Sequence, residues 1–221
     1  MKTRLFVDLA AVLAANASTA VPAAHTALGR DQWTVLAALP PSVTAEAQAV
    51  VDFWRGAGPA RWFAKDPEFD RRFREACLLP HKRAARGDLV GWGATAIGAL
   101  ALVLLLDQFP RNAFRGTPRM YATDVLAREI AEDAINAAHD RAVEQALQLF
   151  FYLPFGHSEV IADQERSVAL NRRFGEPHLS HAKRHHDIIR RFGRFPHRNP
   201  ILGRTMTQNE QWFLDEGGFA G

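Results

Sequence analysis

Apolar residues recur along most of the chain at the spacing of a helix face. The clearest stripe falls at i, i+3, i+4, i+7 and i+8, and it consists of Val143, Ala146, Leu147, Phe150 and Phe151. Such a stripe indicates an amphipathic α-helix with a buried face. No segment alternates apolar and polar residues for long enough to demand a strand. The pattern therefore predicts an all-α fold. Its predicted core includes Leu102, Leu105, Leu106, Leu147, Phe150 and Phe151.

Capping residues predict where several of these helices begin. Asp66, Thr95 and Thr207 each stand immediately before a helical segment and carry a side-chain oxygen that can accept from a free backbone N–H. Glu210, three residues after Thr207, completes the pattern of a capping box. Each of the three positions is therefore expected to be a helix N-terminus.

Prolines and short loops predict how the helices end and pack. Pro80 is expected to kink or end its helix, and Pro110 and Pro154 are each expected to end the helix before them. A long helix is expected over 117–138, with Asp140 capping the next one. Because the connections are short, successive helices should pack antiparallel. The expected architecture is an antiparallel helical-hairpin array.

The first 43 residues differ from the remainder of the chain. They are rich in Ala, Thr and Val and end near the pair Pro40-Pro41. We interpret 1–43 as an N-terminal extension of short helices and linker, and 44–221 as the main helical domain. A cytoplasmic location is expected. The alternative is export, with residues 1–17 acting as a signal peptide, although Asp8 interrupts the apolar stretch that a signal needs.

Composition narrows the function classes. The net charge of +3 is too small to indicate a nucleic-acid binder. The longest apolar run, 96–106, is about half the length that a membrane span requires. The single cysteine, Cys77, excludes an internal disulfide. Signatures of common cofactor and hydrolase families, such as GxGxxG, Walker A, GxSxG and HExxH, are missing. No cofactor is therefore predicted, and the oligomeric state cannot be inferred.

One candidate for chemistry is the loop after the longest apolar run. It contains Arg111, Asn112 and Arg115 beside the expected helix start at Thr117. Free N–H groups at a helix start favour anions, and Arg adds bidentate donors. The alternative is structural, since Arg and Asn commonly satisfy helix-end carbonyls and Asp107 lies four residues before Arg111. A similar loop follows later in the chain with His197, Arg198 and Asn199.

A second candidate surrounds His157. Glu159 and Asp163 follow it closely, so the imidazole could act as a general base that one of these carboxylates orients. The alternative is that Ser158 caps a helix whose first turn simply favours acids.

Three histidines in the next helical segment share one face. His178, His181 and His185 fall at i, i+3 and i+7, as metal ligands can. Packed and hydrogen-bonded histidines explain the spacing more simply, and no metal site is predicted.

Taken together, these blocks resemble the bacterial domain-of-unknown-function 924 family over roughly 44–217. The resemblance is carried by Val51-Asp52-Phe53-Trp54, Arg61-Trp62-Phe63 with Asp66, Leu104-Leu105-Leu106-Asp107-Gln108-Phe109-Pro110-Arg111-Asn112, Arg115-Gly116-Thr117-Pro118-Arg119, Ala122-Thr123-Asp124, Tyr152-Leu153-Pro154-Phe155, His157-Ser158-Glu159, Ala162-Asp163-Gln164-Glu165-Arg166-Ser167-Val168, Asp187-Ile188-Ile189 and Arg191-Phe192-Gly193-Arg194-Phe195-Pro196-His197-Arg198-Asn199. The resemblance implies a tetratricopeptide-like superhelix and no particular activity. This chain departs from the family pattern at Gly156, where the family usually has an acid.

Two functions remain open on the sequence. One is a binding protein that takes an anionic peptide or small metabolite in a cleft lined by Arg111, Asn112, Arg115, His197, Arg198 and Asn199. The other is a hydrolase-type enzyme in which His157 acts with Glu159 or Asp163 in the same cleft. We expect the two Arg-Asn loops and the His157 turn to converge.

Overall fold

The computed structural model describes residues 41–221, and side chains from residue 45. The expected extension at 1–43 and the signal-peptide alternative therefore lie outside the described residues, apart from the last three positions, which belong to the first helix. Residues 42–221 form one compact unit. Within 41–221 every regular element is helical, which confirms the all-α prediction.

The α-helices of the described part range from one turn to five. They are α1 Pro41–Ala57, α2 Pro59–Trp62, α3 Pro67–Ala85, α4 Ala96–Val103, α5 Phe109–Ala113, α6 Asp124–Asn136, α7 Gln145–Gln148, α8 Leu153–Gly156, α9 Ile161–Asn171, α10 His178–Phe192, α11 Asn199–Leu202 and α12 Gln208–Asp215. Shorter helical turns join them: 3₁₀ at Val90–Ala94, Pro118–Tyr121, His139–Ala142, Leu149–Phe151 and Pro196–Arg198, and a π-helical turn at Leu104–Gln108.

The predicted helix starts are confirmed at three capping residues. Asp66 accepts from the N–H groups of Glu68 and Phe69, and Thr95 accepts from Gly98 N–H. Thr207 and Glu210 form the reciprocal capping box. Local side-chain chemistry fixes these ends, and so the sequence alone was sufficient to find them.

The predicted helix ends at Pro110 and Pro154 are wrong. Pro80 lies inside α3, which continues to Ala85, so of the two expected effects of Pro80 the helix end does not occur. Pro110 and Pro154 do not terminate helices but occupy the first turns of α5 and α8. The reason is that a proline in a first turn loses an N–H that would have no intrahelical partner there, so it is tolerated at that place.

The long helix expected over 117–138 is also divided. A 3₁₀ turn at Pro118–Tyr121 precedes α6, and Thr117 makes no capping bond. Asp140 does not cap a helix; its carboxylate accepts the Tyr152 hydroxyl at 2.5 Å. This interruption brings Tyr121, Thr123 and Asp124 to the centre of the molecule, where they form part of the site described below.

The core prediction is confirmed. All six predicted side chains are at most 1% exposed, and they belong to one continuous apolar cluster. Aromatic rings extend this cluster, with Trp54 packed edge-on to Phe150 at 5.3 Å between ring centroids. Helix α4 lies in its middle and packs against α6. No helix of the described part combines the length and apolarity needed to cross a bilayer.

Helices α9 and α10 form the most extensive pairing between elements, and α8 packs against α6 and α9. A smaller apolar cluster, Ile188, Ile189 and Phe195, joins α10 to the segment that follows it. The tetratricopeptide-like arrangement implied by the resemblance stays a prediction.

Candidate functional site

A buried carboxylate stands at the centre of the molecule. Asp107 lies in the π-helical turn at the end of the apolar run, and its side chain is completely buried. It accepts from His157 Nδ1 at 2.7 Å and from Gln108 Nε2 at 2.5 Å, and Arg111 Nη1 lies 3.1 Å away. Burial alone would raise the pKa of Asp107, but Arg111 and His157 outweigh it and lower that pKa to about 2. The carboxylate is therefore ionised and acts only as an acceptor.

The π-helical turn that carries Asp107 has a local cause. Phe109 N–H donates to Leu104 O, an i→i−5 bond. The next N–H in that register would come from residue 110 and reach Leu105 O, but Pro110 has none. His81 Nδ1 bonds Leu105 O instead at 2.9 Å. The neighbouring carbonyl of Leu106 accepts from the hydroxyl of Thr123 at 2.5 Å. Side chains from α3 and from the start of α6 thus satisfy carbonyls that the helix leaves open.

Arg111 contacts two carboxylates, those of Asp107 and Asp124, and so begins a polar cluster around Asp107. Its guanidinium donates to both oxygens of Asp124, at 2.8 and 2.9 Å, and to the Asp107 backbone carbonyl at 2.7 Å. Burial opposes its charge, but the two aspartates outweigh burial and raise the pKa of Arg111. All of its short contacts are to groups of the protein itself, so Arg111 is a fixed part of the framework.

Arg198 approaches the same cluster from the second Arg-Asn loop. Its Nη2 donates to the backbone carbonyl of His157 at 2.9 Å, while Nη1 lies 3.6 Å from Asp124. The guanidinium carbon lies over the rings of Tyr121 and Phe195, 4.5 and 4.7 Å from their centroids. Burial, followed by the nearby positive charge of Arg111, lowers the pKa of Arg198. Its Nε is buried and has no hydrogen-bond partner among the described residues.

His157 follows α8, and its ring is held by Asp107. Because that carboxylate only accepts, the imidazole carries its proton on Nδ1 and leaves Nε2 as an acceptor. Burial and then Arg111 lower the pKa of His157, and so the ring is neutral at pH 7. Within residues 45–221, Nε2 makes no hydrogen bond, and 17% of the side chain is exposed.

The backbone turn at 156–158 is anchored independently of the His157 ring. His185 Nδ1 lies 3.2 Å from Gly156 O, and Gln164 donates to Gly156 O at 2.9 Å and to Ser158 O at 2.6 Å. A Cβ at Gly156 would lie 3.2 Å from the hydroxyl oxygen of Ser167. Gly156 therefore lies where the backbone is tightly packed.

Neither acid expected to orient His157 does so. Asp163 accepts from the Ser158 hydroxyl at 2.6 Å and lies 3.3 Å from Arg128. Glu159 accepts from the Phe195 N–H at 2.9 Å and from Arg204 at 3.0 Å. The carboxylate at His157 is Asp107, fifty residues earlier, which corrects the expected pairing with Glu159 or Asp163.

The first Arg-Asn loop is divided between two places. Asn112 donates to Asp70 at 2.7 Å, and Arg115 donates to the same carboxylate at 2.5 and 3.1 Å. Asn112 and Arg115 thus tie the loop to α3, whereas Arg111 faces Asp107 and Asp124. The expected convergence therefore includes Arg111, His157 and Arg198, and leaves Asn112 and Arg115 apart from them.

The second Arg-Asn loop is largely enclosed. His197 packs on the Phe219 ring with centroids 5.1 Å apart; burial and then Arg198 lower the pKa of His197 to about 4. Asn199 is fully buried and donates to Met206 Sδ at 3.4 Å. Within residues 45–221, His197 Nδ1 and Asn199 Oδ1 have no hydrogen-bond partner, like Arg198 Nε between them in sequence.

Three residues of the cluster were not predicted as site residues: Asp107, Tyr121 and Asp124. For Asp107 there was a signal, because an acid that ends an eleven-residue apolar run must be paired once buried. Asp124 belongs to the Ala122-Thr123-Asp124 block of the family resemblance, which gave a weak signal, whereas Tyr121 gave none. The place of both residues depends on the break in the helix expected over 117–138, which could not be predicted from the sequence.

Two comparisons with known proteins found a match. The model of the family described as bacterial protein of unknown function (DUF924) matches residues 50–218. The chain belongs to the DUF924 family. A solved structure, the protein of unknown function ATU0120 from Agrobacterium tumefaciens, shares 54% sequence identity with this DUF924 chain and has a TM-score of 0.78. The match covers 79% of this chain and 99% of that one. No functionally curated protein matched.

The grooves found elsewhere on this DUF924 protein are not lined by the polar cluster of Asp107, Arg111, Asp124, His157 and Arg198. Two of them, of about 330 and 350 Å³, run along α10 and share Lys183 and Asp187. Among residues 45–221, no group of three or more metal-ligating side chains is placed to hold an ion, and His185 is engaged with Gly156.

Proposed function

We propose that this DUF924 protein binds a small anionic compound through a carboxylate or phosphate held by Arg198 beside His157. One observation carries the proposal: the buried Nε of Arg198 has no hydrogen-bond partner among the described residues. A buried donor without a partner costs about 1–3 kcal/mol, more if charged, and an anionic oxygen would recover that energy.

The distribution of charge favours Arg198 over Arg111 as the binding cation. Arg111 takes the close contacts of both aspartates, which leaves Arg198 only the 3.6 Å contact with Asp124. Glu159, the next nearest acid, is occupied by Arg204. The Arg198 charge is therefore the less compensated of the two, and an anion there would face little competition from the protein.

The setting of Arg198 also favours a small ligand over an extended peptide. The guanidinium carbon lies close to the ring centroids of both Tyr121 and Phe195, at 4.5 and 4.7 Å, and these contacts restrict the guanidinium before any ligand arrives. Only 8% of the side chain is exposed. Such a small exposed edge suits one anionic group of a small compound better than an extended peptide.

The test is calorimetric titration at constant ionic strength with inorganic phosphate, succinate and glutarate. We expect at least one of them to bind the wild type and to bind Arg198→Gln roughly 10- to 100-fold more weakly, the loss typical of a charged hydrogen bond. Arg190→Gln is the matched control, because that side chain is 70% exposed on α10. Equal binding by wild type and Arg198→Gln, or binding of none of the anions, would contradict the proposal.

A further inference from the structure

We propose that this site is catalytic, and that it hydrolyses an ester or amide bond in a compound whose anionic group Arg198 holds. His157 would be the catalytic residue and Asp107 its positioning residue. The inference rests on the proposed anion binding, and it adds a reaction to it.

The first argument is the bond between His157 and a fully buried carboxylate. The two side chains meet at 2.7 Å, and the Asp107 oxygens are held further by Gln108 and Arg111. The carboxylate thus has no freedom to turn away, and the ring plane of His157 is set by it. A general base oriented in this way spends little entropy in reaching its reactive position.

The second argument is the direction of the free nitrogen. With the proton on Nδ1, the lone pair of His157 lies on Nε2, which makes no hydrogen bond within residues 45–221. The ring is partly exposed, so a water molecule can approach it. Arg198 donates to the backbone carbonyl of the same residue, which places the proposed anion holder against the turn that carries the base.

The third argument comes from comparison with the other buried histidines. His81 and His185 each bond a backbone carbonyl, Leu105 O and Gly156 O respectively. Those contacts fix a ring but give no negative charge to stabilise an imidazolium. Only His157, among the described histidines, bonds a buried carboxylate, the arrangement that supports a ring which gains and loses a proton during a reaction.

The step balances without any co-reactant besides water. His157 Nε2 takes a proton from water as the oxygen bonds to the acyl carbon of the substrate. The tetrahedral intermediate then breaks its bond to the leaving oxygen or nitrogen, and the proton on Nε2 passes to that atom. The products are a carboxylic acid and an alcohol or amine, and His157 is neutral again.

The experiment uses the full chain and three probes: the mono-4-nitrophenyl ester of glutaric acid, glutaryl-4-nitroanilide, and 4-nitrophenyl acetate, which lacks the anionic group. We expect turnover of a glutaryl probe in preference to the acetate. His157→Gln should lower kcat by about 10²–10⁴-fold, the usual contribution of a general base. Arg198→Gln should act mainly through a higher KM. The exposed His181→Gln is the matched control and should match the wild type.

Asp107 is tested by readouts that a purely structural residue would not move. The pH profile of kcat/KM should have an acidic limb below pH 6.5, and Asp107→Asn should move it lower, since the carboxylate favours the imidazolium. Nitrogen-15 NMR of the wild type should show the His157 proton on Nδ1. A proton found mainly on Nε2 would overturn the proposal, whether or not Asp107→Asn folds.

Binding and catalysis can fail separately. If glutarate binds but the wild type hydrolyses no probe faster than His157→Gln does, the catalytic inference is wrong and the anion site stands. If glutarate, succinate and phosphate fail to bind and no probe is turned over, both proposals are wrong.

Discussion

At the scale of single residues, the site depends on side chains that complete backbone hydrogen bonding around it. Thr123 shows this most simply, since its hydroxyl donates to the Leu106 carbonyl and both groups are buried. We predict that Thr123→Val, which keeps the shape and removes the donor, lowers the free energy of unfolding by about 1–3 kcal/mol. Urea denaturation followed by circular dichroism measures it. Thr117→Val, whose hydroxyl bonds Phe114 O at the start of a 3₁₀ turn nearer the surface, should cost less. Equal losses would mean that the buried carbonyl is not the cause.

Some side-chain contacts could be predicted from the sequence and others could not. Asp66, Thr95 and Thr207 cap through contacts with the next three residues, so their roles could be read directly. The partner of His157 could not, because fifty residues of chain separate it from Asp107. Glu159 and Asp163, which lie close to His157 in sequence, fit the spacing of an orienting carboxylate and were therefore the expected partners. Contacts between residues close in sequence can be predicted from the local sequence, whereas a pair fifty residues apart can be identified only when the fold is known.

At the scale of elements, the π-helical turn can be tested by a double-mutant cycle. His81→Phe should retain the stacking on Phe109 but leave the Leu105 carbonyl without its donor, at a cost of about 1–3 kcal/mol. Pro110→Ala restores an N–H in the register that reaches this carbonyl. We therefore predict that the double variant is more stable than the sum of the single effects by about 0.5–2 kcal/mol, measured by denaturant unfolding.

The control for this cycle is Pro67→Ala, at the first turn of α3 and far along that helix from His81. Its effect should add to that of His81→Phe. Additivity in the Pro110 cycle as well would show that His81 does not replace the missing N–H.

Elements were predicted well where they are long and amphipathic, and poorly where proline stands in a first turn. The sequence rule that proline ends a helix failed at 110 and 154 because each proline stands in the first turn of a new short helix. The division of 117–138 depends on Tyr121, Thr123 and Asp124 meeting partners from other elements. Tertiary contacts therefore set these helix boundaries, and local helix propensity alone does not predict them.

At the scale of the whole molecule, the site joins parts of the chain that lie far apart, from Asp107 to Arg198. The sequence indicated which loops carry polar chemistry but not which side of each loop would face the others. Arg111 and Asn112 are neighbours, yet they bond carboxylates on different elements, Asp124 and Asp70. Both residues lie in α5, where adjacent side chains point about 100° apart, so one short helix can contribute to two places.

The same convergence predicts how the stability of the whole chain depends on pH. Burial lowers the pKa of His185 to about 3 and of His197 to about 4, and it also lowers the pKa values of His81 and His157. These rings are neutral in the folded protein, whereas in the unfolded chain they take up protons near pH 6.5. The unfolded state then binds more protons, so stability is complete above about pH 6.5 and falls as the pH decreases toward the folded-state values. Acids with lowered pKa values, such as Glu159, add to the loss only below about pH 4.5.

We predict that between about pH 6.5 and 4.5 the free energy of unfolding decreases by roughly 1–3 kcal/mol per pH unit, as expected for a few such buried histidines, in urea titrations at fixed ionic strength. His197→Phe should flatten this slope, while the exposed His181→Gln should leave it unchanged. A slope of zero in the wild type would mean that the enclosed histidines accept protons in place, and that the cluster around Asp107 is far more open to water than its geometry indicates.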